Sequence, residues 1–451
     1  MWTAVASTSF LVIAPEAHRD ALAPFIAFKS ARMATELVSL EAALSTGQGV
    51  DDAERLKSYL YGRWKVDGVH HVLLVGDADI LPVRYMALDR VTPAAFDYAF
   101  YPSDLYYGDL AKADGSFESW NGAREGFHAG YFGEVRGEKN KSDPINFDGV
   151  DYSPEVAVGR WPVSTPEHTA AVAAKTMRYE EAIESRAATD SSTPDTTPTA
   201  GLVMVGGWID ARPALEALRA VLEPRWHVER RYFAGADYSV PEPTGDQVES
   251  LFRGETDLIL HVGHGNDDCW EQCLSLGSLE RLKDQSTLPI VMSAGCSTAR
   301  FATLPPYEPY EDMAGAHHIG TNAGEVFTSP PPPPSCYARG DFNKTGLGES
   351  MVRAPDRGAV AYIGCNTGSQ PCGLTLVAGL VDGIATLPHP RLGDCWTHAV
   401  DYYIDHENLR ALKPSPSWYP ASIYFQGMKF MLFGDPSIPI ASTLRRGSSH
   451  P

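Results

Sequence analysis

Between Asp257 and Arg300 the chain carries two short apolar runs, LILHV and LPIVM, each bounded by Gly or Ser within DLILHVGHGNDDCWEQCLSLGSLERLKDQSTLPIVMSAGCSTAR. Continuous apolar runs of that length, without alternation, read as strands buried on both faces of a parallel sheet. Each run delivers a chemically active residue just past its end: His264 after the first, followed by Gly265, and Cys296 after the second, preceded by Gly295. In open parallel sheets ligands bind in the crevice beyond the carboxyl ends of the strands, so both residues are expected on the same rim.

A Cys and a His on one rim have a chemical use. The imidazole can take the thiol proton, and the thiolate is the stronger nucleophile. Gly265 has no side chain to keep its N–H from a substrate carbonyl, and the Cys296 N–H is a candidate second donor to an oxyanion. Taken singly, a His capping a turn or a Cys acting as a small hydrophobe is the better reading of either residue. The pair at two successive strand ends favours chemistry.

The composition narrows the function. A chain of 451 residues with 43% hydrophobic content can bury a large core and has room for two or three domain-sized units. The formal net charge of −20 argues against a nucleic-acid partner, which needs a basic surface. No run of 18 or more apolar residues is present, so no membrane span is expected. The start, MWTAVASTSFLVIAPEAHRD, lacks a basic stretch and a long apolar stretch and reads as a first strand rather than an export signal. The seven cysteines are odd in number and scattered, leaving at least one unpaired, with Cys296 the candidate. Cys269 and Cys273 lie near His261 and His264, but no second ligand pair accompanies them, so zinc is not expected.

Strand and helix alternate along the rest of the chain, which implies parallel βαβ units. Residues 1–185 read as one α/β subdomain: SFLVIAP, TELVSL and HHVLLVG as strands, and DDAERLKSYLYGRWKV as a helix with Leu56, Leu60 and Trp64 on one stripe. The long helix PEHTAAVAAKTMRYEEAIES follows a Thr-Pro start signal. Asp77 and Asp79, in GDADILP, read as a turn. Residues 186–200, polar and Pro-rich, read as a linker, and 201–445 as the catalytic subdomain. Within it, 301–343 is a Pro/Gly-rich insertion too long for a mere connection. It leaves the sheet directly after Cys296 and reads as a lid or specificity loop, or else as a disordered surface insertion, with His317 and His318 solvated. RLGDCWTHAVDYYIDHEN and SIYFQGMKFMLFG read as closing helices, and GDPSIPI as a final strand-like segment.

HVGHGNDDCW and IVMSAGCS, together with VLLVGDADILPVR, SDLYYGDL, PEVAVGRWPVST and FMLFGDPSIPI in that order, resemble the gingipain family of caspase-like cysteine peptidases over nearly the whole chain. The resemblance implies an α/β caspase-like three-layer sandwich with mainly parallel sheets and two α/β subdomains. It also implies a cysteine endopeptidase acting on peptide or protein substrates through a thioester acyl-enzyme, with His264 and Cys296 as the dyad and Gly265 and Cys296 N–H groups as the oxyanion donors. An inactive scaffold for binding or assembly, or a transpeptidase using the same dyad, are the alternatives. By the same resemblance NTGSQPC, with Asn366, Thr367 and Gln370, is a candidate wall of the substrate pocket, and Asp210 is the nearest acid to the loop that selects a basic side chain. Where arginine-cutting members carry an acid before the paired glycines this chain has Val205, and the third catalytic partner is unassigned. Asn266 and Asp267 either orient the His264 loop or form a turn. The chemistry requires no cofactor. Structural calcium is implied by the family, with Asp104, Asp109, Asp114, Asp143, Asp148 and Asp151 as loop carboxylates and no ligand set assigned. The family is typically secreted, although no signal peptide is visible here.

Overall fold

The computed structural model describes residues 9–441 apart from 91–96, 123–129, 137–149, 189–196, 284, 329–330, 340–344 and 412–425. Asp143 and Asp148, and most of the expected linker, therefore lie outside the described residues.

Ten strands make one sheet. In chain order they are β1 (Phe10–Ala14), β2 (Thr35–Ser39), β3 (His71–Val75), β4 (Ala157–Trp161), β5 (Thr199–Met204), β6 (His227–Tyr232), β7 (Leu258–Val262), β8 (Ile290–Ser293), β9 (Ala361–Cys365) and β10 (Phe430–Phe433). Their spatial order is β2-β1-β3-β4-β10-β9-β8-β7-β5-β6. The four strands on one side of β10 are mutually parallel, as are the five on the other. Because β10 runs parallel to β4 and antiparallel to β9, the two half-sheets point in opposite directions. Their carboxyl rims consequently lie on opposite edges of one continuous sheet. Every residue of β1, β3, β4, β7, β8, β9 and β10 is buried, as expected of strands covered on both faces.

The helices flank the sheet, and local chemistry sets their limits. Helix α1 spans Arg19–Ser30. Helix α2 (Asp52–Asp67) starts where the Asp51 side chain accepts from the Glu54 N–H and stops at Gly68 in the left-handed region. It buries Leu56 and Leu60 and packs Trp64 against them. Helix α3 (Pro166–Ala188) lies beside α1. On the second half-sheet come α4 (Arg212–Leu222), α5 (Gly245–Arg253), α6 (Leu347–Arg353) and α7 (Gly373–Thr386), while α8 (Leu392–His406) packs on α7 and reaches β4. A buried cation joins the halves: Lys29 of α1 bonds Glu180 of α3 at 2.7 Å and Asp435, in the turn after β10, at 3.0 Å.

Two expectations are corrected. The stretch SIYFQGMKFMLFG, of which 422–425 lie outside the described residues, is not a helix throughout, since its buried FMLF run is β10; the following GDPSIPI turns at 436–437 and then bridges Arg391 through Pro439. A four-residue apolar run fits strand and helix alike, and its place at the sheet centre decides for strand. The insertion 301–343 is also tied down where it is described. Residues Tyr310–Glu311 and His317–His318 pair as an antiparallel ladder. The Val83 N–H donates to Cys336 O at 2.8 Å, the Ala338 N–H to Ala78 O at 2.9 Å, the Phe100 N–H to Pro305 O at 2.8 Å and the Tyr131 hydroxyl to Pro331 O at 2.8 Å. These bonds fasten the insertion to the first half of the chain. His318 is not solvated: it sits against Tyr310 and bridges Glu325 at 2.7 Å and Asp312 at 3.1 Å, whereas His317 is exposed.

Candidate active site

Strands β7 and β8 are neighbours with His261 opposite Ser293, and His264 and Cys296 each lie three residues beyond that last pair. Equal extension from paired strands puts them side by side on the carboxyl rim. Both line one cleft, and both are partly exposed.

Each loop is pinned by its neighbours. Gly263 has φ +123°, and a Cβ there would come within 2.6 Å of Val205 Cγ2, so only glycine lets the chain turn against the loop after β5. The His264 N–H then donates to Gly206 O at 2.9 Å. On the Cys296 side, Ser293 Oγ accepts from the Gly295 N–H at 3.2 Å and from Thr298 Oγ1 at 3.0 Å. Ser297 has φ +57°, a conformation that a side-chain-bearing residue holds only under constraint. The constraint is visible, because its N–H donates to Thr367 O at 2.7 Å and the Ala299 N–H to Cys365 O at 2.9 Å. The two loops meet at Gly265, whose absent Cβ would lie 2.6 Å from Thr298 Cγ2 and 3.3 Å from Cys296 O. Asp267 adds a charge link to Arg300 at 3.7 Å, and Asn266 opens a turn with its N–H on Cys269 O at 2.9 Å.

Polar groups at the cleft are left open. Among the described residues, the Gly265 and Cys296 N–H groups have no acceptor and the His264 imidazole has no hydrogen-bond partner. The Cys296 thiol points to Ser369 O at 3.6 Å. Ser369 Oγ and Gln370 Oε1 are buried and unpaired.

The remaining sequence candidates disperse. Gln370 lines the cleft, with Ser369 and Pro371 beside it. Asn366 and Thr367 are buried beneath it: Asn366 Nδ2 donates to Pro102 O at 2.5 Å, and Thr367 holds the Ser297 N–H through its carbonyl. Asp210 is exposed and locked to Arg212, at 2.8 Å to Nε and 2.9 Å to the far nitrogen, and does not line the cleft. The hydrogen bonds from Arg212 hold its carboxyl below the usual range. Val205, which stands before the paired glycines, is buried against Gly263 and supplies His264 with no carboxylate from that position. Sequence reasoning missed Trp208 and Ile209, both lining the cleft and both exposed. The signal was available in GGWID, two large apolar residues directly after a strand end.

The metal candidates fare differently. His261 is a core residue, stacked flat on Trp270 with centroids 4.2 Å apart and bonded to Ser293 Oγ at 2.8 Å. Burial pushes its pKa down to about 3. Burial likewise raises Cys269 to about 11 and Cys273 to about 12, which disfavours the thiolate at either. For calcium the described carboxylates do not fit. Asp104 pairs with Arg160 at 2.7 Å, Asp109 accepts from Trp120 Nε1 at 2.6 Å, Asp114 turns onto Ser116 and Asp151 onto Ser153. Burial also raises Asp109 well above the usual carboxylate range, which disfavours a charged ligand there. Among the described residues no three His, Cys, Asp or Glu side chains converge to hold a metal ion. Among the same residues no helix is long and apolar enough to cross a membrane.

The sequence profile of Peptidase family C25 matches residues 3–441. The crystal structure of the Arg specific cysteine proteinase gingipain R superposes with a TM-score of 0.61 at 15% identity, covering 98% of this chain and 80% of that one. The complex of Porphyromonas gingivalis RgpB pro- and mature domains gives 0.60 at 16% identity, covering 96% and 80%. At such identity the likeness carries the fold. No curated protein sequence matches at a significant level.

Proposed function

We propose, from the premise that the chain belongs to Peptidase family C25, that this cysteine peptidase is an endopeptidase working through a Cys296–His264 dyad. The observation that carries the reading is the placement of both residues three positions past the paired ends of β7 and β8, lining one cleft.

In the proposed sequence His264 takes the thiol proton and Cys296 Sγ attacks the scissile carbonyl carbon. The carbonyl oxygen becomes an oxyanion, and the open N–H groups of Gly265 and Cys296 supply the donors it needs. Collapse expels the amine, which receives its proton from His264, and leaves a thioester on Cys296. Water, deprotonated by His264, hydrolyses the thioester and restores the thiol. The tight packing at Gly263, Gly265 and Ser297 supports this by fixing the two loops before substrate arrives.

Cleavage of a mixed peptide library under reducing conditions tests the reading. Cys296→Ala and His264→Ala should each lower turnover by at least about 10⁴-fold while circular dichroism and melting temperature stay near wild type. Full turnover by Cys296→Ala would remove the mechanism.

A further inference from the structure

We infer that the cleft selects an uncharged, apolar side chain in the substrate residue that precedes the cut, rather than Arg or Lys. The inference rests on the peptidase reading and adds the substrate class.

A carbonyl carbon that reaches Cys296 Sγ must carry its own side chain into whatever depression adjoins that sulfur. The adjoining depression is the cleft just described. Its walls are Met204, Val205, Ile209, Val262, Pro371 and Leu374, with Trp208 at the mouth. No Asp or Glu is among the described residues that line it. Asp210, the acid between the lining residues Ile209 and Ala211 in sequence, spends both carboxylate oxygens on Arg212, whose guanidinium is further held by Ala234 O. A guanidinium or ammonium entering the cleft would shed water and meet no counter-charge among the described lining residues, the arrangement that penalises a buried ion most. An aliphatic or aromatic side chain loses nothing by the same move and covers apolar wall. Trp208 and Ile209, 68% and 44% exposed, are the large apolar surface still open to water at the rim and would be covered by such a substrate.

The test uses the full chain with two matched readouts. One is kcat/KM on peptides that differ only in the residue before the cut, with Leu, Phe or Met set against Arg, Lys and Glu. The other is the rate at which Phe-based and Lys-based chloromethyl ketones alkylate Cys296, followed by intact mass. Preference for the apolar set by about 10²-fold or more is expected in both. Leu374→Asp, which places an acid in the first turn of α7 where a carboxylate is favoured, should shift the apolar-to-basic ratio at least about tenfold toward Arg and Lys. Cys296-dependent cleavage with Arg or Lys equal or better would overturn the selectivity and leave the peptidase standing. No cleavage of any peptide together with no alkylation by either reagent would remove both.

Discussion

The crossing of the two active-site loops at Gly265 can be probed by one methyl group. A Cβ at this position would stand 2.6 Å from Thr298 Cγ2, with the Cys269 and Cys296 carbonyl oxygens each at 3.3 Å. Gly265 is not in the left-handed region, so alanine meets no backbone penalty and the effect is one of contact alone. Carbon pairs settle at about 3.5–4.0 Å, so Gly265→Ala should push the His264 and Cys296 loops apart by about 1 Å. Overpacking of this kind costs about 1–3 kcal/mol of stability. A 1 Å displacement between base and nucleophile costs about 10² in kcat/KM, equivalent to about 2.7 kcal/mol of transition-state stabilisation. The assay is kcat/KM on the best library peptide, with urea denaturation run alongside. Thr298→Ser supplies the control: it deletes Cγ2 while keeping the hydroxyl that reaches Ser293 Oγ at 3.0 Å and Gly295 O at 3.3 Å. The double variant Gly265→Ala/Thr298→Ser should therefore regain most of the lost activity, a coupling that a double-mutant cycle reads directly. Gly265→Ala with activity within twofold of wild type, or a double variant no better than the single, would refute the argument that this contact sets the loop spacing.

Two more outcomes follow from buried charge. Lys29→Met should lower unfolding free energy by about 3–5 kcal/mol in urea, because it strands Glu180 and Asp435, both buried, without their cation; a loss below about 1 kcal/mol would mean the joint does not depend on it. His318 makes the insertion pH-sensitive. Burial opposes its charge, but hydrogen bonds to Glu325 and Asp312 outweigh this and raise its pKa. Burial also raises both carboxyls, yet the Ala316 N–H on Asp312 and His318 on Glu325 hold them below their usual values. The histidine's contribution is complete below about pH 6.5 and fades as pH rises through its elevated value, while that of the carboxylates fades as pH falls below about 4.5. Proteolytic nicking within 303–328 should be slowest between those limits and faster at pH 8.5, and His318→Gln should flatten the profile; equal nicking of wild type at pH 5.5 and 8.5 would contradict the coupling.

The strands FLVIA, HVLLV, LILHV and IVMS were legible because a strand covered on both faces leaves an unbroken apolar run, and His264 and Cys296 were legible because each follows such a run. FMLF was not, since four apolar residues satisfy both periods and only the neighbouring strands choose between them. The pocket was harder to read. Asp210 sits close to the cleft in sequence, but nothing in the order of residues shows that Arg212 folds back onto it. Asn366 and Thr367 belong to the right loop and face inward, a matter of rotation that a glycine-containing loop does not encode by spacing. Trp208 escaped notice because its exposure depends on what the rest of the chain leaves uncovered.

Strand β10 holds four register pairs to β9 but one, Phe433 with Arg160, to β4. The sheet is thus two well-stitched panels joined along a lightly stitched line, and the strand on that line comes from near the end of the described chain. Pulled or partly denatured, the molecule should part there before either panel frays. During synthesis both panels can assemble, each with an apolar edge showing, and wait for residues 430–433 to close the gap between them.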